Sequence, residues 1–508
     1  MGMGTGRIEA LRAAVANFYT TVENATSDSA QVRYGIVPYA SNVNVGGSIP
    51  SQYLASSAPY QSRKPIITID WELVSTQLNH YSRPGEETGS GKAVLGSSEY
   101  KSKDWCDGQL PPPLSDPTYV GPLSNPEIVD SDVDGLVRTS VVKGRGGMQQ
   151  ATPYIEYQEA YTTGKGKKQT YHPSQCEWGY KGVRFDADVE VTTIEHGEKT
   201  AQGFEYFKRT FDLTALKNGG VDKSVNLDTG WNNYRRSEWE DHKWKGCIEE
   251  AATVPSEVWN PVPEGAHDLN INLIPTTEEQ RWKPWLPTAV WRRQGLDRRG
   301  QADGRPSFEK ISTARLDDNQ PRADSGSYAA SCPKAAMKLT ADLTEGQLNS
   351  YLSANNNFVP DGYTYHDIGM IWGARFISPR GIFKAENESA PNGDSIARHI
   401  IFMTDGELNT QPTAVYGAYG IEYWDRRVTS DGEKRSSDTR VEARFQAACR
   451  QAREENISVW VIAFGTDLTE NLTNCATPGR SFKATNPDQL NEKFQEIAQK
   501  IAALRLTS

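Results

Sequence analysis

Apolar residues recur at helical spacing near the beginning of the chain. Four of them fall on one face of a helix: Ile8, Leu11, Val15 and Phe18. The pattern predicts an amphipathic helix over residues 7–18. A short apolar run of strand type, VRYGIVPY, follows at residues 32–39. A helix followed by a strand is typical of the beginning of an α/β domain.

The last third of the chain continues this alternation. RHIIFMTD at 398–405 and ISVWVIAF at 457–464 have uninterrupted apolar centres, which predicts strands buried on both faces. Between them, VEARFQAACRQAREEN carries its apolar residues on one helical face. Strand, helix and strand in this order predict a parallel crossover. A closing helix is predicted to begin at Asn486, a good N-cap residue that is followed by proline.

The middle of the chain, residues 48–325, has a different pattern. PYIEYQEAY, VRFDADVEVTTIEH and GFEYFKRTFDL alternate apolar and polar residues, which predicts half-exposed strands of an antiparallel sheet. Ten of the thirteen tryptophans lie in this region. They either form an aromatic recognition surface or fill a loop-rich core.

Composition and charge exclude several classes of protein. The 508 residues carry a net charge of −10, which disfavours nucleic acid and anionic membranes as partners. No stretch approaches the roughly 18 apolar residues of a membrane helix, and no signal peptide is visible at the start. The six cysteines form an even set without CxxC, which makes zinc a poor candidate. They favour disulfides in an oxidising compartment, although six buried thiols in a cytosolic protein remain an alternative.

Two oxygen-bearing side chains are predicted at loop tips beside the parallel strands. Asp405 ends the strand at 398–405, and Gly406 allows the chain to turn. Thr364 precedes a segment whose apolar residues predict a buried helix face. A carboxylate and a hydroxyl on neighbouring loops suit a hard divalent cation. Alternatively, Asp405 only forms a turn and Thr364 only caps a helix.

The sequence around these residues resembles a known family. MTDGE, the G-x-T-x-x-x-x-G-M stretch at 362–370 and the closing helix are similar to TadE/TadG-like tight-adherence (Flp) pilus-assembly proteins with a von Willebrand factor A domain. WKGCIEE, SCPKAAMKLT and NCATPGRSFKAT support the resemblance. It implies an α/β fold with a mostly parallel, Rossmann-like sheet that is flanked by helices and lacks its first strand. The domain would comprise residues 1–47 and 326–508, interrupted by a β-rich insertion at 48–325.

The resemblance assigns Thr364 and Asp405 to a metal-dependent adhesion site. The D-x-S-x-S motif that supplies the other ligands is absent, and in this family it is commonly followed by Met and Gly. We therefore expect Met1 to be an internal methionine of a longer protein with a membrane anchor and the first strand. Mg²⁺ or Ca²⁺ would bind that longer protein, and bind this chain weakly or not at all, because a hard cation needs about six oxygens. His366 and Asp367 adjoin the site and are not expected to be ligands.

A disulfide between Cys449 and Cys475 is implied by the same resemblance. We further predict a bond between Cys247 and Cys332, which leaves Cys106 to pair with Cys176. Six cysteines allow about 15 connectivities, so other pairings remain open. A D-x-D-x-D-G sequence at 130–135 resembles the opening of a calcium loop. Val141 stands where the loop needs Glu, so an acidic surface turn is the better interpretation.

These features favour a non-enzymatic binding or assembly protein of the tight-adherence pilus system. We expect it in the periplasm or at the cell surface, anchored in the inner membrane in its longer form, and binding pilus or envelope proteins through an acidic side chain. A surface carbohydrate-binding module that uses the tryptophans is an alternative. A hydrolase is a weaker one, because the sequence has no G-x-S-x-G, no H-E-x-x-H and no P-loop.

Overall fold

The structure is a computed structural model of the chain, and the residues that it describes form several continuous ranges. These ranges are 5–26, 30–82, 87–113, 116–123, 127–134, 137–222, 242–291, 313–315, 331–390, 392–394, 396–406 and 408–505. Within them the chain divides into two compact units, one of residues 67–200 and one of residues 1–66 with 201–508. No helix in the described ranges is long and apolar enough to cross a membrane.

The helices of the described residues are short except for three. They are α1 (Thr5–Ala25), α2 (Lys103–Asp107), α3 (Thr214–Lys217), α4 (Glu345–Leu352), α5 (His366–Ile377), α6 (Lys384–Asn387), α7 (Glu422–Asp425), α8 (Lys434–Glu454), α9 (Glu470–Cys475) and α10 (Pro487–Arg505). The predicted first helix is confirmed as α1. The closing helix is also confirmed, and Asn486 caps it by accepting a hydrogen bond from the Gln489 amide at 2.9 Å.

The strands range from two residues to very long segments. They are β1 (Tyr34–Ile36), β2 (Ser57–Tyr81), β3 (Glu87–Glu99), β4 (Thr118–Leu123), β5 (Glu127–Asp134), β6 (Val137–Gln158), β7 (Tyr161–Thr163), β8 (Thr170–His172), β9 (Gln175–Asp212), β10 (Val221–Asp222), β11 (His242–Lys243), β12 (Ile248–Glu249), β13 (Lys283–Pro284), β14 (Thr313–Arg315), β15 (Met337–Thr340), β16 (Arg398–Thr404), β17 (Ile457–Phe464) and β18 (Ser481–Ala484).

Antiparallel pairing dominates the sheets, so the predicted fold class is wrong. The largest sheet has seven strands and follows the order β14, β9, β6, β4, with β2 and β3 against β9 and β5 against β6. β6 and β9 pair antiparallel from Val137 opposite His196 to Gln158 opposite Gln175. In the described residues the one parallel sheet has three strands, β16, β17 and β18. The protein therefore does not have the mostly parallel, Rossmann-like sheet of a von Willebrand A domain.

The fold class was predicted wrongly because the pattern of a strand does not identify the strand that pairs with it. The apolar run at 32–39 does contain a strand, but β1 pairs antiparallel with β15 and not within the parallel sheet. Alternation along a sequence shows that a segment is extended and which face is apolar, but it does not identify the partner. The antiparallel strands predicted from PYIEYQEAY, VRFDADVEVTTIEH and GFEYFKRTFDL are confirmed in β6 and β9.

Two helical layers enclose the three parallel strands. Trp460, Ile462 and Phe464 of β17 pack with α1 and α10 on one face of the sheet. Val459 and Val461 pack with α5 and α8 on the other. β17 is buried on both faces as predicted, whereas only the last three residues of β16 are buried. The predicted parallel crossover through α8 is confirmed.

Three disulfides join all six cysteines in the predicted pairs. Cys106 is bonded to Cys176, Cys247 to Cys332, and Cys449 to Cys475. The last bond joins α8 to α9, and the strand β17 lies between them in sequence. All three predicted pairs are therefore confirmed, although the resemblance implied only the bond between Cys449 and Cys475.

Removing the bond between Cys449 and Cys475 should lower the free energy of unfolding by about 3 kcal/mol, because the closed loop restricts the unfolded chain. The two cysteines are 26 residues apart. Urea unfolding of a Cys449→Ala/Cys475→Ala variant measures the loss. A loss below about 1 kcal/mol, or free thiols at both positions in the wild-type protein, would contradict this prediction.

Candidate functional site

Thr364 and Asp405 lie side by side where β16 ends and α5 is about to begin. Both residues are buried, at 6% and 4% exposure. A Cβ atom placed on Gly406 would lie 3.7 Å from the Thr364 hydroxyl oxygen, so the turn after Asp405 passes directly beside Thr364. The Asn409 amide donates to the Thr364 carbonyl at 3.2 Å and holds the two loops together. The structure thus brings the loops of Thr364 and Asp405 together, and their assignment to a metal site stays a prediction.

Arg7, in the first turns of α1, faces the Asp405 carboxylate. Its Nη1 lies 3.6 Å from Asp405 Oδ2 and donates to the Asp405 carbonyl at 2.9 Å. Burial raises the pKa of Asp405, and the arginine opposes that rise. The guanidinium therefore neutralises the carboxylate and stands where a bound cation would otherwise balance it.

His366 lies on the inner side of the site, against Thr404 and the Gly406 backbone. Its Nε2 lies 3.1 Å from the Thr404 hydroxyl, which also donates to the Gly406 carbonyl at 2.9 Å. The ring packs on the aromatic rings of Phe402 and Phe445. Burial lowers the pKa of His366 to about 4, so the imidazole is neutral at pH 7.

Acidification should destabilise the protein through His366. An unfolded histidine has a pKa of about 6.5 and takes up a proton first, so stability falls as pH drops below that value towards 4. Between pH 7 and pH 5 we expect the wild-type protein to lose about 2 kcal/mol more than His366→Gln. Urea unfolding at both pH values measures the difference.

The comparison with His366→Gln is needed because other groups titrate in the same range. Burial raises the pKa of Asp367 to about 6 and that of Glu422 to about 7. These two carboxyls are present in both proteins, so their contribution cancels in the difference. Equal pH dependence of the two proteins would show that His366 does not keep a depressed pKa.

A buried ionic cluster adjoins the site and includes Asp367. The Nε of Arg444 donates to Asp367 Oδ2 at 3.1 Å, and its Nη2 forms an ion pair with Asp268. All three side chains are fully buried. Nη2 also donates to the Tyr419 hydroxyl at 2.6 Å, and the guanidinium lies 4.7 Å from the Trp259 ring centre. Asp367 is thus committed to a structural ion pair.

A second buried ionic cluster surrounds Glu250. Its carboxylate accepts hydrogen bonds from the indole nitrogens of Trp282 and Trp372, and from Nη1 of Arg375 at 3.0 Å. Arg375 also donates to the Asp268 carbonyl, which links the two clusters. The neighbouring Glu249 points the other way, because it lies on the strand β12, and it accepts from the Tyr416 hydroxyl at 2.6 Å.

Sequence analysis missed both clusters. It placed Glu250, Asp268 and Trp282 in the insertion at 48–325, whereas the structure packs them against α5 and α8. The boundaries at residues 47 and 325 stay predictions. The available signal was the concentration of tryptophans and charged residues at 244–291, since a buried charge needs a partner close by.

The residues at the predicted metal site do not form a complete site for Mg²⁺ or Ca²⁺. A hard cation prefers about six oxygens, and here two adjoining loops carry one hydroxyl and one carboxylate, with an arginine beside the carboxylate. In the described part of the chain, no three His, Cys, Asp or Glu side chains are grouped so that they could hold a metal. The pair can contribute to a cation site only with further ligands from another source.

Other candidates from the sequence have ordinary structural roles. The residues of the D-x-D-x-D sequence, 130–134, lie on β5, which pairs antiparallel with β6, and Gly135 lies outside the described residues. Of the eight tryptophans of the middle region that the structure describes, Trp105 is 36% exposed and four are at most 3% exposed: Trp259, Trp282, Trp285 and Trp291. This burial favours the core-filling interpretation over a recognition surface.

Comparison with known proteins adds little. No family model matches the chain, and no curated protein matches it. Among solved structures, proximal thread matrix protein 1 from the mussel byssus is similar over 32% of this chain and 32% of its own, at 13% identity and a TM-score of 0.19. A likeness this weak carries no argument about fold or function.

Proposed function

We propose that the protein is a non-enzymatic binding or assembly protein of the cell envelope, in the tight-adherence pilus system. The observation that carries the proposal is the juxtaposition of Thr364 and Asp405 at the end of β16. The pair provides a hydroxyl and a carboxylate but no activated nucleophile, because the nearby His366 is buried against Thr404. Such a site suits binding through a shared cation and not turnover.

Two further observations support the location and the system. All six cysteines are in disulfides, which persist in oxidising compartments such as the periplasm or the cell surface. The sequence stretches that resemble tight-adherence assembly proteins favour that system independently of the sheet topology. We propose pilus or envelope proteins as partners, and inner-membrane anchoring through a longer form of the protein.

Complementation of a gene deletion tests this function. Deleting the gene should reduce surface attachment and piliation, and the wild-type gene should restore both. Asp405→Asn should fail to restore them, because it removes the carboxylate charge. Asp467→Asn is the matched control, since Asp467 follows β17 and its side chain is 82% exposed. Unchanged attachment after deletion, or full restoration by Asp405→Asn, would contradict the proposal.

We expect this chain by itself to bind divalent cations weakly, with a dissociation constant above about 1 mM. It supplies two oxygen ligands, whereas a hard cation needs about six. Arg7→Ala should tighten Mg²⁺ binding at least about threefold, because the competing guanidinium is removed. Asp405→Asn should abolish the remaining binding. Isothermal titration calorimetry with MgCl₂ measures all three proteins.

Micromolar binding by the wild-type chain would show that the site is already complete. Equal binding by wild-type protein and Asp405→Asn would place the cation elsewhere. Either result would contradict the assignment of Thr364 and Asp405 to a partial site.

A further inference from the structure

A short hairpin of the smaller compact unit is exposed to solvent on all sides. It comprises β7, β8 and the loop between them, residues 160–172, and we call it the basic hairpin. β7 and β8 pair antiparallel, with Tyr161 opposite His172. Every residue from 158 to 171 is exposed. The basic hairpin therefore adds almost nothing to the core of its unit, and its side chains are available to a partner.

Three lysines lie at the tip of the basic hairpin. Lys165, Lys167 and Lys168 are exposed, and in the described part of the chain none of their ammonium groups has an ion-pair or hydrogen-bond partner. The nearest acidic residue in sequence is Glu159, at the opposite end of the hairpin. The basic hairpin thus forms a local positive cluster on a chain whose net charge is −10. A cluster of this kind attracts an anionic partner.

Two glycines close the loop that carries the lysines. Gly164 has a φ of +91°, and a Cβ atom there would lie 2.1 Å from the Lys168 carbonyl oxygen. Gly166, with a φ of +64°, begins a turn of 3₁₀ helix that ends at Lys168. A larger residue at Gly164 would force the loop open. The two glycines therefore keep the lysines together on one tight turn.

Aromatic rings stand on both faces of the basic hairpin. On one face the Tyr161 ring stacks on the His172 imidazole, with ring centres 4.6 Å apart. Successive residues of a strand point to opposite faces, so Tyr171 lies on the other face. The Tyr171 side chain is 62% exposed and has no ring partner among the described residues. Its ring is free to stack on a ligand.

Free ammonium groups, an exposed ring and hydroxyl groups together fit a polysaccharide that carries carboxylates. The C–H face of a sugar packs on an aromatic ring, and the hydroxyls of tyrosine and threonine pair with sugar hydroxyls. The lysines attract the carboxylates. Lys168 precedes Tyr171 by a few residues, which span at most about 10 Å of extended chain. A sugar stacked on Tyr171 therefore has neighbours within reach of the lysines.

Two other anionic partners fit the basic hairpin less well. Binding to an anionic membrane takes about four to eight basic residues, or apolar side chains that enter the lipid. The basic hairpin has three lysines, and the sequence from 158 to 174 contains no Leu, Ile, Val, Phe, Met or Trp. Nucleic acid binding relies on many phosphate contacts, which the net charge of −10 opposes.

We propose that the basic hairpin binds an acidic polysaccharide, a chain of sugars that carry carboxylates. Tyr171 stacks on one sugar, and the three lysines of the tip pair with carboxylates of its neighbours. The site uses the side chains of β7, β8 and their loop, and not the tryptophans of the middle region. It adds a second binding function to the proposed assembly function and does not depend on Thr364 or Asp405.

Isothermal titration calorimetry with an oligogalacturonate tests the proposal. A neutral maltooligosaccharide of equal length has sugar rings without carboxylates, and poly-glutamate has carboxylates without sugar rings. We expect the oligogalacturonate to bind at least about tenfold more tightly than either. Asp405→Asn should bind it as the wild-type protein does, so a failure of the proposed assembly function and a failure of this proposal are distinguishable.

Two variants locate the binding on the basic hairpin. Lys165→Glu/Lys167→Glu/Lys168→Glu should weaken oligogalacturonate binding at least about tenfold, because it turns attraction into repulsion. Tyr171→Thr should also weaken it at least about tenfold. Threonine keeps a hydroxyl and suits a strand, but it has no ring.

Matched controls make the same kinds of change elsewhere. Lys384→Glu/Lys434→Glu/Lys500→Glu reverses three exposed charges on helices of the larger unit. Leu73→Thr removes an exposed apolar side chain from β2. Both controls should leave binding unchanged. Urea unfolding establishes that all four variants are folded before their binding is compared.

Several results would overturn the proposal. They are the absence of oligogalacturonate binding, equal binding of the maltooligosaccharide or of poly-glutamate, and binding that either hairpin variant leaves unchanged. Tighter binding of phosphatidylglycerol vesicles or of single-stranded DNA would also overturn it, and would make the basic hairpin a contact for phosphate groups.

Discussion

Arg444→Met should lower the free energy of unfolding by about 3–5 kcal/mol, because it leaves the fully buried carboxylates of Asp268 and Asp367 without their cation. Methionine retains much of the side-chain volume, so the loss reflects mainly the uncompensated charge. Urea unfolding at pH 7 measures it. Arg440→Met, four residues earlier on α8, should cost less than about 1 kcal/mol, because its partner Glu257 is 85% exposed.

A triple variant separates the charge from the packing. Adding Asp268→Asn and Asp367→Asn to Arg444→Met removes the two buried carboxylate charges that have lost their partner. We expect this triple variant to recover more than half of the lost free energy of unfolding. If Arg444→Met lost less than about 1 kcal/mol, the buried ion pairs would not contribute as the geometry indicates. If the triple variant recovered nothing, the loss would come from packing.

Glu250→Ala should lower the free energy of unfolding by about 3–4 kcal/mol, almost as much as Arg444→Met. The substitution removes the acceptor for two buried indole N–H groups and the charge partner of Arg375, which is 1% exposed. Glu250→Gln should lose less, because it keeps one acceptor oxygen. The near-ultraviolet circular dichroism of both variants should change, since Trp282 and Trp372 lose a fixed hydrogen bond.

Glu264→Ala provides the control for Glu250. Glu264 lies in the same segment and is exposed, so we expect a change below about 0.5 kcal/mol and an unaltered near-ultraviolet spectrum. Equal effects of the two alanine substitutions would contradict a role for Glu250 in joining segment 247–291 to α5.

The sequence predicted elements that depend on local patterns. The apolar stripe of α1, the uninterrupted centre of β17 and the Asn486 cap each need only nearby residues to be recognised. Thr364 and Asp405 were placed together because the carboxyl end of β16 and the beginning of α5 meet in an α/β unit. For the stripe, the strand and the cap, the physical cause lies in residues that are close together in the sequence.

The features that were missed depend on partners distant in sequence. β1 pairs with β15, which lies some 300 residues later in the sequence, and no residue of VRYGIVPY indicates this partner. Glu250 and Asp268 received no role from the sequence, because their partners Arg375 and Arg444 come more than 100 residues later. Arg7 facing Asp405 was missed for the same reason. Long-range pairing of this kind cannot be derived from periodicity alone.

The pairing of α1 with α10 affects how the protein can be made. Phe18 packs on Phe494 with ring centres 5.9 Å apart, and Asn17 donates to Asn491 at 2.8 Å. The first helix therefore cannot bury its apolar stripe until the last helix has left the ribosome. We expect the newly synthesised chain to stay incompletely folded until α10 has been synthesised, so a truncation before α10 should leave the apolar stripe of α1 exposed.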